Sequence, residues 1–261
     1  MSPEGGAYAQ PTPRLLYVHD DLTDEVDRRQ GAGSAAAALA RELLAVIARD
    51  TARVRVLTLD EQVARVVAQG PQAPFALALA IGSAGERVAQ ALHARAGWFP
   101  RIRRIGLTRE EDGRGGYRLV STEPADLATQ LDGVAECASL ALVDDTVFSG
   151  LTMRAVIGAL PAARVRTRAF CLRGVAESIA EVGKLCPVTA GIAAPGRRLE
   201  DVSFINASGL VRRVAIRRPG RPPLAFFDRP EWLRAWFPAE HEQVLALCQR
   251  LNAMLDGTPS G

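Results

Sequence analysis

Short, almost unbroken apolar runs alternate with amphipathic segments along most of this chain. The apolar runs predict strands, at 15–18, 54–59, 75–81, 102–107, 140–143, 165–172 and 188–192. The amphipathic segments predict helices, at 34–48, 61–68, 83–95, 151–160 and 240–255. Strands that are apolar throughout, rather than at every second residue, indicate a sheet covered on both faces. The pattern therefore predicts an α/β fold with a mainly parallel sheet flanked by helices on both faces.

The alternation weakens after residue 195. Two stretches rich in Pro and Arg, 195–198 and 217–223, flank an extended segment, and aromatic residues concentrate at 225–238. We therefore predict an α/β core over residues 1–195 and a variable C-terminal appendage over 196–261 that ends in the last helix. The aromatic cluster is expected to be a packing surface or a contact in a homodimer.

Composition narrows the class of partner. The 261 residues carry a formal net charge of +3 without a dense basic block, which does not indicate a nucleic-acid partner and suits an anionic small molecule equally well. The four cysteines and three histidines lack metal-ligand spacing, and the cysteines lie in apolar surroundings, as is typical of reduced thiols in a cytoplasmic protein. The best apolar stretch, 74–81, is too short to span a membrane, and the first residues lack the apolar core of a signal peptide.

The stretch LALVDDTVFSGLT, residues 140–152, carries the most specific chemistry. Two adjacent acids, Asp144 and Asp145, follow an apolar strand, and a run of small residues then leads into a helix. The N–H groups and the dipole at a helix N-terminus favour an anion such as phosphate. Two carboxylates beside a phosphate would repel the ligand unless they met hydroxyl groups or a cation. A sugar phosphate with Mg²⁺ satisfies both requirements.

The same stretch resembles the signature of the type I phosphoribosyltransferases: four hydrophobic residues, two acids, two variable residues, then x-Ser-Gly-x-Thr. The resemblance implies binding of 5-phosphoribosyl-1-pyrophosphate (PRPP) with Mg²⁺. Asp144 and Asp145 would hold the ribose hydroxyls, directly or through metal-bound water. The 5′-phosphate would be wrapped by Phe148, Ser149, Gly150, Leu151 and Thr152. The alternative is a strand–turn–helix junction of another α/β protein, in which the acids only cap the helix.

Two upstream segments fit the same family. An apolar strand ends at Ile81, and Gly82, Ser83, Ala84 and Gly85 then turn into a helix, similar to the segment that binds pyrophosphate in these enzymes. The segment 104–120 has strand-like ends and a charged, Gly-rich middle, and resembles the mobile arm that closes over the substrate. Arg109 and Arg114 lie in it, and Arg109 is the candidate catalytic cation, although many relatives use a lysine that this segment lacks. A solvated hairpin is the alternative.

The acceptor is the least defined part of the prediction. Position 148 is Phe and position 173 is Arg, whereas the enzymes acting on 6-oxopurines carry Asp and Lys at the comparable places. We consider Phe148, Arg173 and Phe204 as candidate acceptor contacts. Phe148 is alternatively a core residue, and Phe204, within 201–209, alternatively belongs to a strand and turn. In the segment 17–27, His19 and Asp20 are candidate metal ligands. A polar loop after the first strand is the favoured interpretation of this segment.

The resemblance implies a phosphoribosyltransferase that transfers the phosphoribosyl group of Mg-PRPP to a nucleobase-like or other small acceptor and releases pyrophosphate. Specificity would lie in a hood formed by the N-terminal segment or by the appendage. The alternative is a weakly catalytic or non-catalytic regulator that senses PRPP or nucleotides, similar to the pyrimidine-operon attenuation regulators, which often carry Tyr at the position of Phe148. An aspartate-nucleophile phosphatase is disfavoured, because that chemistry needs D-x-D-x-T rather than two adjacent acids.

Overall fold

The computed structural model describes residues 10–70, 72–160 and 166–256 of the chain. The strands are β1 Leu15–Asp20, β2 Val54–Thr58, β3 Leu77–Ile81, β4 Ile102–Ile105, β5 Leu107–Glu111, β6 Tyr117–Ser121, β7 Ser139–Val147, β8 Arg166–Val175, β9 Val188–Ala194, β10 Val202–Asn206, β11 Ile216–Arg218 and β12 Arg221–Leu224. The helices are α1 Leu22–Gln30, α2 Ala35–Ile47, α3 Leu59–Val67, α4 Gly82–Ala96, α5 Leu127–Gln130, α6 Leu151–Ala159, α7 Ala176–Gly183, α8 Ala207–Val211, α9 Pro230–Trp236 and α10 His241–Asp256.

The chain divides into two compact units. Of the described residues, the first unit contains 10–58, 110–118 and 199–256, and the second unit contains 59–70, 72–109, 119–160 and 166–198. The base of the β5–β6 hairpin therefore belongs to the second unit and its tip to the first.

The second unit contains a five-stranded sheet with the order β4-β3-β7-β8-β9, and each neighbouring pair of strands is parallel. On one face, apolar residues of α3 and α4, such as Val66 and Leu92, pack with Val143 of β7. On the other face, Val156 of α6 and Val182 of α7 pack with further strand residues. The predicted parallel sheet flanked by helices on both faces is confirmed. Successive residues are apolar along β3, over 140–143 of β7 and over 169–172 of β8, because both faces of the sheet are covered.

The first unit is built around a three-stranded parallel sheet with the order β10-β1-β2, accompanied by the antiparallel hairpin β11–β12. Its core joins Leu16 of β1 and Ile205 of β10 to aromatic residues of the 225–238 cluster such as Trp236, and Leu251 of α10 adds to it. The aromatic cluster is thus a packing surface, as one of its two interpretations predicts.

The predicted division at 195/196 needs correction. The sequence pattern predicts that the first 58 residues belong to the core and residues 196–261 to an appendage, but β1 pairs with β2 on one side and with β10 on the other. A strand of the predicted appendage and two strands of the predicted core therefore form one sheet. The hydrophobic pattern of each strand identifies the strand but carries no information on a partner that is distant in sequence.

Some elements also differ from their predicted bounds. The sequence predicts a polar loop after the first strand, within 17–27, but α1 begins at Leu22. Only Leu22 and Val26 of this helix are buried, so its apolar stripe is narrow, and Asp20 accepts a hydrogen bond from the Thr23 amide at its start. Strand β7 continues to residue 147 and β8 to residue 175, past their predicted ends, and α7 was not predicted. Residue 165, the predicted start of β8, lies outside the described residues.

Within the described ranges, no helix combines the length and the apolar character that crossing a membrane requires. The four cysteines are free thiols, and Cys171, Cys186 and Cys248 are buried, as their apolar surroundings in the sequence predict.

Candidate functional site

The strands β3 and β7 are neighbours at the middle of the five-stranded sheet and run parallel. From β3 the chain passes through α4 to β4 on one side, and from β7 it passes through α6 to β8 on the other side. This arrangement is a topological switch point, and open α/β sheets bind ligands in the crevice beyond the carboxyl ends of such strands. Residues at the ends of β3 and β7 are therefore the first candidates for a ligand site.

Asp144 and Asp145 lie in the last part of β7, at this carboxyl edge, and both are half-buried. The Asp145 amide donates a hydrogen bond to Oδ1 of Asp144 at 2.8 Å, which fixes the local geometry of the pair. Burial, followed by the charge of Asp145, raises the pKa of Asp144 well above its ordinary value, and the positive charge of Arg109 opposes this shift. The pair therefore favours a ligand that offers hydroxyl groups or a cation.

The segment 148–152 forms the turn from β7 into α6. Gly150 precedes the helix with φ +69°, a left-handed conformation that favours glycine, and the helix begins at Leu151. Ser178 of α7 donates a hydrogen bond to the Phe148 carbonyl at 2.8 Å, and the Ser149 hydroxyl accepts one from the Leu151 amide at 3.3 Å. The turn is thus held by its neighbours, and the amides that begin α6 point to the carboxyl edge of the sheet.

Gly82, Ser83, Ala84 and Gly85 form the first turn of α4, directly after β3. Gly82 has φ +61°, which favours glycine. A Cβ atom on Gly85 would lie 2.5 Å from the Val143 carbonyl oxygen and 3.4 Å from Cα of Asp144, so glycine lets α4 pack directly on β7 beside the acids. The structure therefore brings the predicted pyrophosphate segment next to the predicted ribose-binding pair, and the first amides of α4 have no partners within the helix.

The two arginines of the predicted arm have different positions. Arg109 is an exposed residue of β5 in the second unit, and its charge acts on Asp144. Arg114 lies at the hairpin tip, which belongs to the first unit, and its amide donates a hydrogen bond to Oδ1 of Asp112 at 2.8 Å. Of the two, Arg109 belongs to the same unit as the acidic pair.

Arg173 is fully buried near the carboxyl end of β8. Its guanidinium donates one hydrogen bond to Oδ2 of Asp145 at 3.2 Å and another to Oε1 of Gln62 at 2.8 Å. The structure thus places this candidate acceptor contact against the acidic pair. We did not single out Gln62, although a polar residue on the apolar face of a predicted helix indicates a buried polar contact. The hydroxyl of Ser178 is a second feature that sequence reasoning missed, because α7 itself was not predicted.

The remaining candidates lie in different surroundings. Phe148 is half-buried beside the acids, and the apolar clusters of the described residues do not include it. Phe204 belongs to β10 in the first unit, where its ring stacks on Tyr17 with centroids 5.1 Å apart, so the strand interpretation of its segment is the correct one.

The metal interpretation of His19 and Asp20 receives no support from the structure. His19 Nδ1 lies 3.4 Å from the Leu57 carbonyl oxygen, and the Asp20 carboxylate binds the amide and hydroxyl of Thr23. In the described part of the chain, no group of three or more His, Cys, Asp or Glu residues is arranged to hold a metal ion.

Comparison with known proteins gives structural likenesses only. No protein-family model matches the chain, and no curated protein matches its sequence. A hypothetical protein from Neisseria gonorrhoeae with bound ppGpp is similar at TM-score 0.39 and 15% identity, over 56% of this chain and 80% of that chain. A purine phosphoribosyltransferase from Pyrococcus horikoshii is similar at TM-score 0.30 and 15% identity, over 72% of this chain and 92% of that chain. The xanthine-guanine-hypoxanthine phosphoribosyltransferase of Helicobacter pylori is similar at TM-score 0.29 and 11% identity, over 73% of this chain and 89% of that chain.

Proposed function

We propose that this protein is a phosphoribosyltransferase that transfers the 5-phosphoribosyl group of Mg-PRPP to a small nucleophilic acceptor and releases pyrophosphate. One observation carries the proposal: the acidic pair and the first turns of α4 and α6 meet at one switch point, between neighbouring strands β3 and β7. A ligand with a phosphate at one end, a pyrophosphate at the other and a polyhydroxyl ring between them has the chemistry that this arrangement favours.

Each part of the site has a proposed role. The turn 148–152 binds the 5′-phosphate through the amides that begin α6, and residues 82–85 bind the pyrophosphate through the amides that begin α4. Asp144 and Asp145 hold the ribose hydroxyls between the two phosphate sites. Arg109 adds positive charge where the departing pyrophosphate accumulates negative charge.

The reaction is a displacement at C1 of the ribose. A lone pair of the acceptor forms the new bond to C1, while the bond from C1 to the pyrophosphate oxygen breaks and pyrophosphate leaves with the electron pair. The chain's contribution is to hold both reactants in line and to stabilise the developing charges, so no nucleophilic side chain is needed. Phe148, half-buried beside the acids, is the proposed contact for a planar acceptor.

The residues present fit a magnesium ion that arrives with the substrate. Mg²⁺ is usually held by one or two carboxylates together with phosphate oxygens and water, and Asp144 and Asp145 supply two carboxylates at the site. When bound, Mg²⁺ would neutralise part of the diphosphate charge. The acids would hold it through the ribose hydroxyls or water.

We propose a cytoplasmic enzyme of nucleotide metabolism that acts as a homodimer, with PRPP and a small-molecule acceptor as its partners.

Isothermal titration calorimetry with PRPP, with and without Mg²⁺, tests the proposal directly. We expect Mg²⁺-dependent binding by the wild type and its loss in the Asp144→Asn/Asp145→Asn variant, while Asp60→Asn, which changes an exposed acid of the same unit, binds as the wild type does. The absence of wild-type binding would contradict the proposal. An acceptor panel monitored by pyrophosphate release then separates catalysis from nucleotide sensing, since a sensor would bind without turnover.

A further inference from the structure

Arg173 has the environment of a residue held rigidly between two partners. It is the largest of the fully buried side chains, and a buried guanidinium is costly unless hydrogen bonds satisfy it. One side of the guanidinium binds Asp145 at 3.2 Å and the other binds Gln62 at 2.8 Å. Neither partner is close to Arg173 in sequence, so the contact depends on the folded arrangement of β7, β8 and α3.

The second partner is itself fixed. Gln62 lies on α3 and is fully buried. The helix approaches β9 closely at Gly191, where a Cβ atom would lie 3.0 Å from the Gln62 carbonyl oxygen and 2.7 Å from the Leu172 carbonyl oxygen. Helices and strands therefore carry all three hydrogen-bonded residues, Gln62, Arg173 and Asp145. Side chains on regular secondary structure are held more exactly than side chains on loops.

The contact also has an electrostatic consequence for the acidic pair. Two adjacent carboxylates repel each other, and the guanidinium at Asp145 offsets part of that repulsion. It occupies Oδ2 of Asp145 and so selects one orientation of the carboxylate. Because Arg173 has no exposed surface, it offers no donor to an acceptor that enters the crevice.

We infer that Arg173 is a positioning residue, which holds the Asp145 carboxylate in the orientation that binds the phosphoribosyl ligand, and that it does not contact the acceptor. The inference rests on the proposed function and adds a constraint on specificity. Recognition of the acceptor then depends on residues other than Arg173. The arginine acts on the part of the site that is proposed to bind PRPP.

A double-mutant cycle tests this role, with Mg-PRPP as the titrant in calorimetry. Arg173→Met removes both hydrogen bonds, and we expect it to weaken binding by about 10- to 100-fold, as loss of a residue that orients a ligand-binding carboxylate does. In an Asp145→Asn background the same change should alter affinity by less than about 2-fold, because the residue acts through Asp145. Arg173→Lys, which keeps the charge, should restore part of the wild-type affinity.

Arg168→Met is the matched control. Arg168 lies on the same strand and donates a hydrogen bond to Thr189 at 3.2 Å, away from the acidic pair, so its loss should leave affinity unchanged. Circular dichroism establishes that each variant is folded. If Arg173→Met does not fold, Arg173→Lys takes its place in the cycle, with a smaller loss of affinity in the wild-type background and none in the Asp145→Asn background.

The outcomes separate the inference from the proposed function. If Arg173→Met weakens the affinity for Mg-PRPP equally in both backgrounds, Arg173 acts on the ligand directly. If it weakens the affinity in neither background, Arg173 only supports the fold. Both results overturn the inference while the proposed function stands. If the wild type itself does not bind Mg-PRPP, the proposed function fails, and the inference fails with it.

Discussion

The side chains of Glu111 and Arg229 form a buried ion pair within the first unit. One terminal nitrogen of Arg229 lies 2.8 Å and 3.0 Å from the two oxygens of the Glu111 carboxylate. The guanidinium carbon also lies 5.0 Å from the centroid of the Trp232 ring, so a cation–π contact supports the pair. Because Glu111 belongs to the hairpin tip and Arg229 directly precedes α9, the position of the tip depends on this contact.

Glu111→Gln should destabilise the first unit. The change leaves the Arg229 charge in a site where its side chain is only 12% exposed, and breaking a buried ion pair by removing one partner costs about 3–5 kcal/mol. Unfolding in urea, followed by tryptophan fluorescence in a Trp98→Phe background, reports on this unit, because Trp232 and Trp236 are the other two tryptophans.

Glu110→Gln is the control for this measurement. Glu110 pairs with Arg118 across the same hairpin, but the arginine side chain is 58% exposed. Such a pair contributes less than about 1 kcal/mol. Equal effects of the two substitutions would contradict a special role for the buried pair.

Gly85→Ala should disturb both the packing of α4 and the ligand site. The added Cβ would lie 2.5 Å from the Val143 carbonyl oxygen, and a backbone atom in a central strand cannot move aside cheaply. We expect a loss of about 1–3 kcal/mol in stability, by the cost of overpacking. We also expect weaker binding of Mg-PRPP, since the first turn of α4 must move from Asp144. Thermal unfolding and calorimetry measure the two effects.

Gly158→Ala should have the opposite effect on stability. Gly158 lies in α6, and a Cβ at this position would meet no atom within 4 Å. Replacing a helical glycine by alanine then stabilises by about 0.5–1 kcal/mol. If Gly85→Ala behaved like Gly158→Ala, the close approach of α4 to β7 would have no energetic consequence.

The sequence predicts the fold where elements are strongly patterned. Strand β3 lies in an apolar run, 75–81, that is bounded by Pro74 and Gly82, so its existence follows from local pattern. Helix α1 was missed, because a helix with only Leu22 and Val26 buried has almost no apolar periodicity. The pairing of β1 with β10 was missed for another reason, since strand pairing over long sequence separations leaves no local signal.

The sequence likewise predicts some parts of the candidate site and not others. Asp144, Asp145 and the turn after them are consecutive, so a single stretch of sequence predicted them together. Arg173 was singled out, but its contact with Gln62 spans 111 positions and could not be predicted from either segment alone. The close packing at Gly85 likewise depends on the distance between two backbones, which composition does not report.

The four thiols should differ in reactivity. Burial raises the pKa of Cys248 to about 12, and burial also raises the pKa of Cys171 and of Cys186. Cys137 is the half-buried one. Iodoacetamide at about pH 8 should therefore modify Cys137 first in the native protein and the other three only after unfolding, as measured by peptide mass spectrometry. Modification of Cys248 as fast as Cys137 would contradict this order.

The buried thiols also predict the sign of a pH effect on stability. An unfolded thiol titrates near about pH 8.5, whereas the raised pKa of Cys248 keeps its proton in the folded state until about pH 12. Between these values the unfolded chain binds fewer protons, so the free energy of unfolding should fall as pH rises. A Cys248→Ala variant should show a shallower fall, measured by urea unfolding at several pH values.

Asp144 should reduce the stability of the second unit at neutral pH. Its pKa is raised in the folded state, first by burial and then by Asp145, whereas an unfolded aspartate titrates near about 3.9. The favourable contribution of such a group is present below the unfolded pKa and is lost as pH rises through the folded pKa. Asp144→Asn, which cannot ionise, should therefore be more stable than the wild type near neutral pH in the presence of EDTA.

The pH dependence of this difference distinguishes electrostatics from packing. The advantage of Asp144→Asn should shrink as pH falls and vanish below about 3.9, because the wild-type carboxyl is then protonated in both states. Asp60→Asn is the control: Asp60 pairs with Arg95 at the surface, with its side chain 82% exposed, and its loss should change stability by less than about 0.5 kcal/mol. If the stability difference between Asp144→Asn and the wild type does not vary with pH, the asparagine packs better than the aspartate. If Asp144→Asn is less stable than the wild type at neutral pH, ionised Asp144 does not destabilise the folded state. We expect that ionised Asp144 destabilises the fold at the place where the substrate is proposed to bind. Such a cost in stability is typical of a residue that is retained for its chemistry.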